Sequence, residues 1–201
     1  MRNKPALPSL TKARFPLQTE GKRILLPGFS LAILFMICLL WGCAGPSPKP
    51  SSKTARMVEG IPFFPQEEYQ CGPASLAGVL NYYGLRMTPA EIAAEIFSRR
   101  ARGTLDMDMV FYAQRKGMKA EQYAGNVEDL QRNLDSQRPI IVLIDQGFWV
   151  YQNHHFMVAV GYDEKNLVVN SGKEEHKFIS WEAFVKSWEK NKFWTLRITP
   201  P

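Results

Sequence analysis

Residues 71 to 84 read Cys71-Gly72-Pro73-Ala74-Ser75-Leu76-Ala77-Gly78-Val79-Leu80-Asn81-Tyr82-Tyr83-Gly84. A proline in the first turn of a helix loses no hydrogen bond, because that N–H has no intrahelical partner, so Pro73 places a helix start at Cys71. Leu76, Val79, Leu80 and Tyr83 then recur at helical spacing on one face. Ala74, Ala77 and Gly78 are small enough to let another layer approach, and Gly84 ends the run. The segment predicts one packed helix over about 71–83 that begins with a cysteine.

Downstream, Thr88-Pro89-Ala90-Glu91 is a capping box that opens a second helix through Phe97. Leu105 to about Lys116 predicts a third, closed by Gly117, and Val127, Leu130 and Leu134 mark a short fourth. The period then changes. Ile140–Ile144, announced by Pro139, predicts a buried strand, and Phe156–Val160 another that ends at Gly161. Leu167–Asn170 and His176–Ile179 predict short strands separated by the Ser171-Gly172 bend. Trp181, Phe184, Val185 and Trp188 predict a last amphipathic helix, and Phe193–Ile198 a last strand. Helices first and strands after predict an α+β fold, with the helical part packed on an antiparallel sheet.

Upstream the character is different. Residues 1–43 carry +5 of the chain's formal +6, so the basic excess belongs to the leader and gives no nucleic-acid-binding face. Phe29–Trp41 (FSLAILFMICLLW) is uncharged and follows Lys22 and Arg23. It is short for a spanning helix and has the length of a signal-peptide core. It is the one long apolar stretch, which excludes a multi-pass membrane protein. It runs into Leu40-Trp41-Gly42-Cys43-Ala44-Gly45, which resembles the bacterial lipoprotein lipobox, with Trp41 a departure from the usual small or medium residue. That resemblance implies a signal peptide over 1–42 and a lipidated Cys43 anchored in the bacterial cell envelope. Ala44 and Gly45 in place of an Asp imply the outer membrane, facing the periplasm. An uncleaved single-pass anchor is the alternative. Residues 43–59, rich in Pro, Ser and Lys, predict a flexible tether, and 60–201 a single domain.

Of the three cysteines, Cys38 lies in the leader, Cys43 is the lipidation candidate, and Cys71 is the one thiol of the predicted domain. A cysteine at a helix start feels the positive end of the dipole, which favours the nucleophilic thiolate. It needs a base, and His154, His155 and His176 are the candidates. The pair His154-His155 opens the strand HHFMVAVGYD. Asn170, at the end of the next strand, could hold the imidazole, with Asp145 as the alternative. The Gln66 amide could join the Cys71 N–H around a developing oxyanion. Gln70 is its rival, poorly placed by adjacency. Trp149–Tyr151 reads as core packing or as a cleft wall. The three histidines show no metal-ligand spacing, so neither a metal nor a cofactor is expected.

The segment from Pro65 through Gln66, Cys71-Gly72-Pro73 and Tyr82-Tyr83-Gly84 resembles the active-site start of papain-like cysteine peptidases. More narrowly, it resembles the bacterial peptidases that trim double-glycine leader peptides from bacteriocins, and their stand-alone relatives. His155-Phe156-Met157-Val158-Ala159-Val160-Gly161-Tyr162-Asp163 is similar to that family's histidine segment, which selects His155 over His154. The similarity spans about 60–198. It implies a papain-like fold, hydrolysis of a peptide or protein substrate, Cys71 as nucleophile, His155 as base, Asn170 as orienter and Gln66 in the oxyanion site. Gln66 stands five residues before the cysteine, where the papain pattern has six. Acyl transfer from the same thioester and a non-catalytic peptide-binding scaffold are the alternatives.

Overall fold

A computed structural model describes residues 55–147 and 152–201. The leader, Cys43 and Trp149–Tyr151 lie outside the described residues. The strand β1 (Arg56–Met57) comes first. The helices are α1 (Cys71–Tyr82), α2 (Pro89–Ile96), α3 (Asp106–Arg115), α4 (Val127–Asp135) and α5 (Trp181–Glu189). Two strands, β2 (Phe97–Ser98) and β3 (Gly103–Thr104), form a small separate hairpin. The remaining strands are β4 (Lys119–Ala124), β5 (Ile140–Asp145), β6 (His154–Tyr162), β7 (Asn166–Ser171), β8 (Glu174–Ser180) and β9 (Trp194–Thr199).

The main sheet runs β4-β9-β5-β6-β7-β8, every neighbouring pair antiparallel, with β1 added at the far end of β6. This is the expected α+β arrangement, with Cys71 at a helix start and the helical part packed on the sheet. The expected tether is shorter at its C-terminal end. Arg56–Met57 pairs with β6 and Val58 is 2% exposed, so the folded part begins before residue 60. Met57 and Val58 stand between Lys53, Arg56 and Glu59, and so short an apolar pair gives no strand pattern of its own.

The helix termini follow their sequence signals. The Thr88 hydroxyl accepts the Glu91 N–H at 3.2 Å, and the Glu91 carboxylate accepts the Thr88 N–H at 2.8 Å. Gly84 has φ +90°, a left-handed conformation that a residue with a Cβ adopts only at a cost. The helix α1 lies against β6 and β5. Leu76, Val79 and Leu80 are fully buried there, and so are Ile140–Val142 and Met157. Gly78 lets the loop before α1 pass close to the helix: a Cβ on it would stand 3.1 Å from the Pro62 carbonyl oxygen. Burial is unbroken along β5, so both of its faces are covered.

The strands β1 to β4 carried no usable signal. The strand β4 alternates half-buried and exposed positions without a strong apolar residue before Tyr123. Its partner β9 supplies the apolar side, with Leu196 and Ile198 fully buried. The register of β1 depends on Gly161, whose Cβ would stand 2.6 Å from the Arg56 carbonyl oxygen. Gly161→Val is therefore expected to displace β1 and to lower stability by about 1–3 kcal/mol, the ordinary cost of overpacking. A urea unfolding midpoint equal to the parent chain's would contradict this packing.

Candidate active site

The start of α1 carries Cys71, and β6 carries His155 in the layer below. Both line one open cleft of about 930 Å³ together with Gln66, Thr104 and Ser171. No hydrogen bond joins the sulfur to the imidazole among the described residues. Tyr69 and Arg102 border the same cleft, with the guanidinium carbon 5.3 Å from the ring centroid. Both adopt positive φ, at 61° and 51°. These are left-handed conformations that non-glycine residues adopt only where their surroundings hold them.

His155 is buried, at 8% exposed. Its Nε2 stands 2.9 Å from Ser171 Oγ. Burial, with a contribution from the Lys177 charge, pushes the ring down to about 4. Removing an imidazolium from water is unfavourable, so the ring is neutral at ordinary pH. Burial also pushes the Cys71 thiol up. Backbone N–H groups of Phe156, Gly72 and Cys71 act in the other direction without cancelling it. The expected effect of the helix start on the sulfur is therefore present, and desolvation outweighs it. The resting pair is a neutral thiol and a neutral imidazole.

Among the described residues, no hydrogen bond joins Asn170 to the ring. Its Oδ1 accepts the His176 N–H at 3.1 Å. Successive side chains of a strand point to opposite faces, so the neighbour Ser171 presents its hydroxyl where Asn170 cannot. The hairpin expected to bend at Ser171-Gly172 turns there, with Gly172 at φ +63°, and Ser171 is the last residue of β7. A count along the pairing would have found it: Val158 faces Asn170, and the next position belongs to the His155 end of β6. A sequence without that register offers no such signal, because serine before glycine also reads as a turn.

Asp145 makes no hydrogen bond to the ring either. Its Oδ1 accepts the Gly147 N–H at 2.7 Å and the Asn153 N–H at 2.8 Å. Burial works to raise the carboxyl, but these N–H groups outweigh it and hold it below its ordinary value. Asp145 thus ties the end of β5 to Asn153, just before β6.

Gln66 stands beside Cys71 because its N–H donates to the Gly172 carbonyl at 2.9 Å, tying the loop to the β7–β8 hairpin. Its Oε1 is buried without a partner. Gln66, Cys71 and Asn170 also line a small cavity of about 20 Å³ under the start of α1. Gln70 points away from this arrangement, with its Nε2 on Glu67 at 3.4 Å. His154 lines the cleft from the exposed start of β6, and the His176 backbone holds Asn170. Among the described residues, no group of three or more His, Cys, Asp or Glu is gathered as a metal site.

Gly72 and Thr104 fit closely behind the sulfur. A Cβ on Gly72 would stand 2.9 Å from the Thr104 Cβ, which brings the β2–β3 hairpin against the start of α1. The hydroxyl of Thr104 is buried without a partner.

Comparison with known proteins follows the same lines. Residues 58–195 match the model of the Peptidase_C39 like family. An uncharacterized protein of Methanothermobacter thermautotrophicus is 32% identical over 101 residues, which are 50% of this chain and 63% of that relative. The chain thus spans somewhat under two thirds of that relative's length. The peptidase domain of Streptococcus ComA, a bifunctional ABC transporter involved in a quorum-sensing pathway, superposes with a TM-score of 0.60. It is 22% identical, over 71% of this chain and 100% of that one. A double glycine motif protease from an AMS/PCAT transporter, solved in complex with the leader peptide, gives a TM-score of 0.58. It is 23% identical, over 77% of this chain and 100% of that one. At these identities the likeness to solved structures is one of fold.

Proposed function

We propose, from the premise that this chain belongs to the Peptidase C39-like family, that it is a cysteine peptidase of the bacterial cell envelope. The observation that carries the reading is the shared cleft, where the thiol of Cys71 at a helix start and the buried neutral imidazole of His155 meet the same solvent. The matched region, residues 58–195, covers that cleft.

The chemistry follows from the groups present. Cys71 attacks the carbonyl carbon of a peptide bond while its proton passes to His155. The developing oxyanion takes the Gln66 amide and the Cys71 N–H, which has no intrahelical partner. The C–N bond breaks as His155 returns the proton to the leaving amine, which leaves a thioester on Cys71. Water then attacks, gives its proton to His155, and the thiol departs with that proton. A neutral imidazole suits this sequence, because a general base must hold a free lone pair at the working pH. The substrate is a peptide or protein segment that enters the cleft extended. Support for a peptide comes from the fold, since a protein of the same fold has been solved with a leader peptide.

The anchor is the second part of the proposal. Residues 1–42 are a signal peptide, Cys43 carries the lipid, a short tether follows, and the domain works at the outer membrane, facing the periplasm. Several acyl chains would hold it firmly, at about 0.8 kcal/mol per buried methylene.

The test is capture of the nucleophile. A peptide aldehyde ending in glycine, with the full chain, is expected to form a hemithioacetal on Cys71 and to block cleavage of peptides from a mixed library. An intact library, with no adduct on Cys71, overturns the peptidase and leaves a peptide-binding scaffold. New amide products that form only with added amines identify acyl transfer instead. For the anchor, Cys43→Ala is expected to move the chain from the membrane fraction to the soluble one, and continued sedimentation with membranes contradicts lipidation.

A further inference from the structure

We propose that Ser171 is the positioning residue for His155: its Oγ accepts the Nε2–H of the ring and so leaves Nδ1 as the lone pair that takes the Cys71 proton. This rests on the cysteine peptidase reading above.

The geometry is specific. The Nε2–Oγ separation is 2.9 Å, and each residue is 8% exposed. A neutral imidazole has one N–H and one lone pair, and whichever nitrogen donates fixes the role of the other. With Nε2 engaged by Ser171, Nδ1 is the nitrogen left for the cleft that Cys71 lines. The two side chains that could have given the ring a stronger acceptor are both occupied. Asp145 accepts the Gly147 and Asn153 N–H groups, and Asn170 accepts the His176 N–H.

The chemistry of a hydroxyl differs from that of a carboxylate. A carboxylate in contact with the ring favours imidazolium, whereas a hydroxyl orients the ring without a charge. The charged groups that line the cleft with the ring are Lys177 and Glu174 on β8, Lys173 at the hairpin, and Glu68 and Arg102 from the loops, and the charge felt by the ring is that of Lys177. Lys177 and Glu174 pair with each other. Asp145 and His154 follow at the paired ends of β5 and β6, and Cys71 lines the same cleft from α1. None of these stands in hydrogen-bond contact with the imidazole among the described residues. Ser171 therefore sets which nitrogen serves the sulfur and leaves the ring uncharged over most of the pH range.

The test reads the ring directly and needs no substrate. In the full chain with 15N-labelled histidine, the His155 signals are assigned by their loss in His155→Gln. They are expected to report the Nε2–H tautomer at neutral pH and a titration at about 4. Ser171→Ala is expected to mix the two tautomers. It is also expected to slow alkylation of Cys71 by iodoacetamide about tenfold or more, since alkylation draws on the same base. Ser171→Thr, which keeps the hydroxyl, is expected to restore both. Ser171→Asp is expected to raise the ring titration by roughly 1–3 pH units, with the acid limb of the alkylation rate moving by the same amount.

An Nδ1–H tautomer in the parent chain overturns the proposal. So does a Ser171→Ala chain whose tautomer, titration and alkylation match the parent's. A chain with the expected ring signals but no peptide cleavage counts against the peptidase reading, and the two failures are thereby distinguished.

Discussion

Cys71→Ala and His155→Ala are each expected to lower peptide-bond hydrolysis by about 10³-fold or more, and the double variant to be no worse than either alone. A nucleophile and its base act as one unit, so removing the second member costs little once the first is gone. The measurement is product formation with any peptide that the parent chain cleaves. A Cys71→Ala chain that keeps full turnover removes this mechanism. The pH dependence carries further information. The ring of His155 sits at about 4 in the fold, against 6.5 for an ordinary imidazole. Turnover is therefore expected to fall only as the pH drops through about 4, where the base becomes protonated.

Stability should follow the same group in the same window. Between these two values the unfolded chain binds a proton that the folded one excludes. The folded state is thus favoured less as pH falls from 6.5 toward 4, by up to about 3 kcal/mol. Unfolding midpoints of His155→Gln are expected to lack that slope. An identical slope in both chains would mean that the imidazole is not desolvated.

Trp188→Ala is the substitution expected to damage the fold most, at about 3–5 kcal/mol. The indole is fully buried on α5 and donates its N–H to the Trp194 carbonyl at 2.9 Å. It stacks on Phe184 with ring centroids 5.0 Å apart and meets Phe193 edge-on at 5.3 Å. Its far edge would stand 3.1 Å from a Cβ on Gly125, so the loop after β4 is shaped around it. Truncation opens a cavity, strips these contacts and removes the donor from the part-buried Trp194 carbonyl. A domain of this size has roughly 5–15 kcal/mol of stability in total, so the melting temperature is expected to fall by about 10 °C or more. A fall of under about 2 °C would show that α5 contributes little to holding the sheet.

Pro73 and the spacing from Leu76 to Tyr83 were enough to place the helix that carries the sulfur, because both are local rules of the backbone. Thr88 and Glu91 marked the next helix for the same reason, and the run Ile140–Ile144 announced a strand buried on both faces. The strand β4 was not legible. Its own residues are indifferent, and what holds it is the apolar side of β9, more than seventy residues away. Arg56–Met57 was hidden in a polar surrounding and became a strand only because β6 offers it an edge.

The site divides along the same boundary. Sequence sufficed to single out one thiol and one histidine that line a common cleft, since Cys71 and the segment after His155 carry their pattern in consecutive residues. The third group was decided by strand register. Asn170 and Ser171 are adjacent in the chain and differ by half a pleat in space, so only the paired sheet tells which of them meets the ring. The protonation state was decided by the fold as well. A helix start taken alone favours an anionic sulfur, and the layers packed over it remove the water that an anion needs. Local order is written in neighbouring residues, whereas desolvation and the facing of side chains across strands come into being only when distant segments meet.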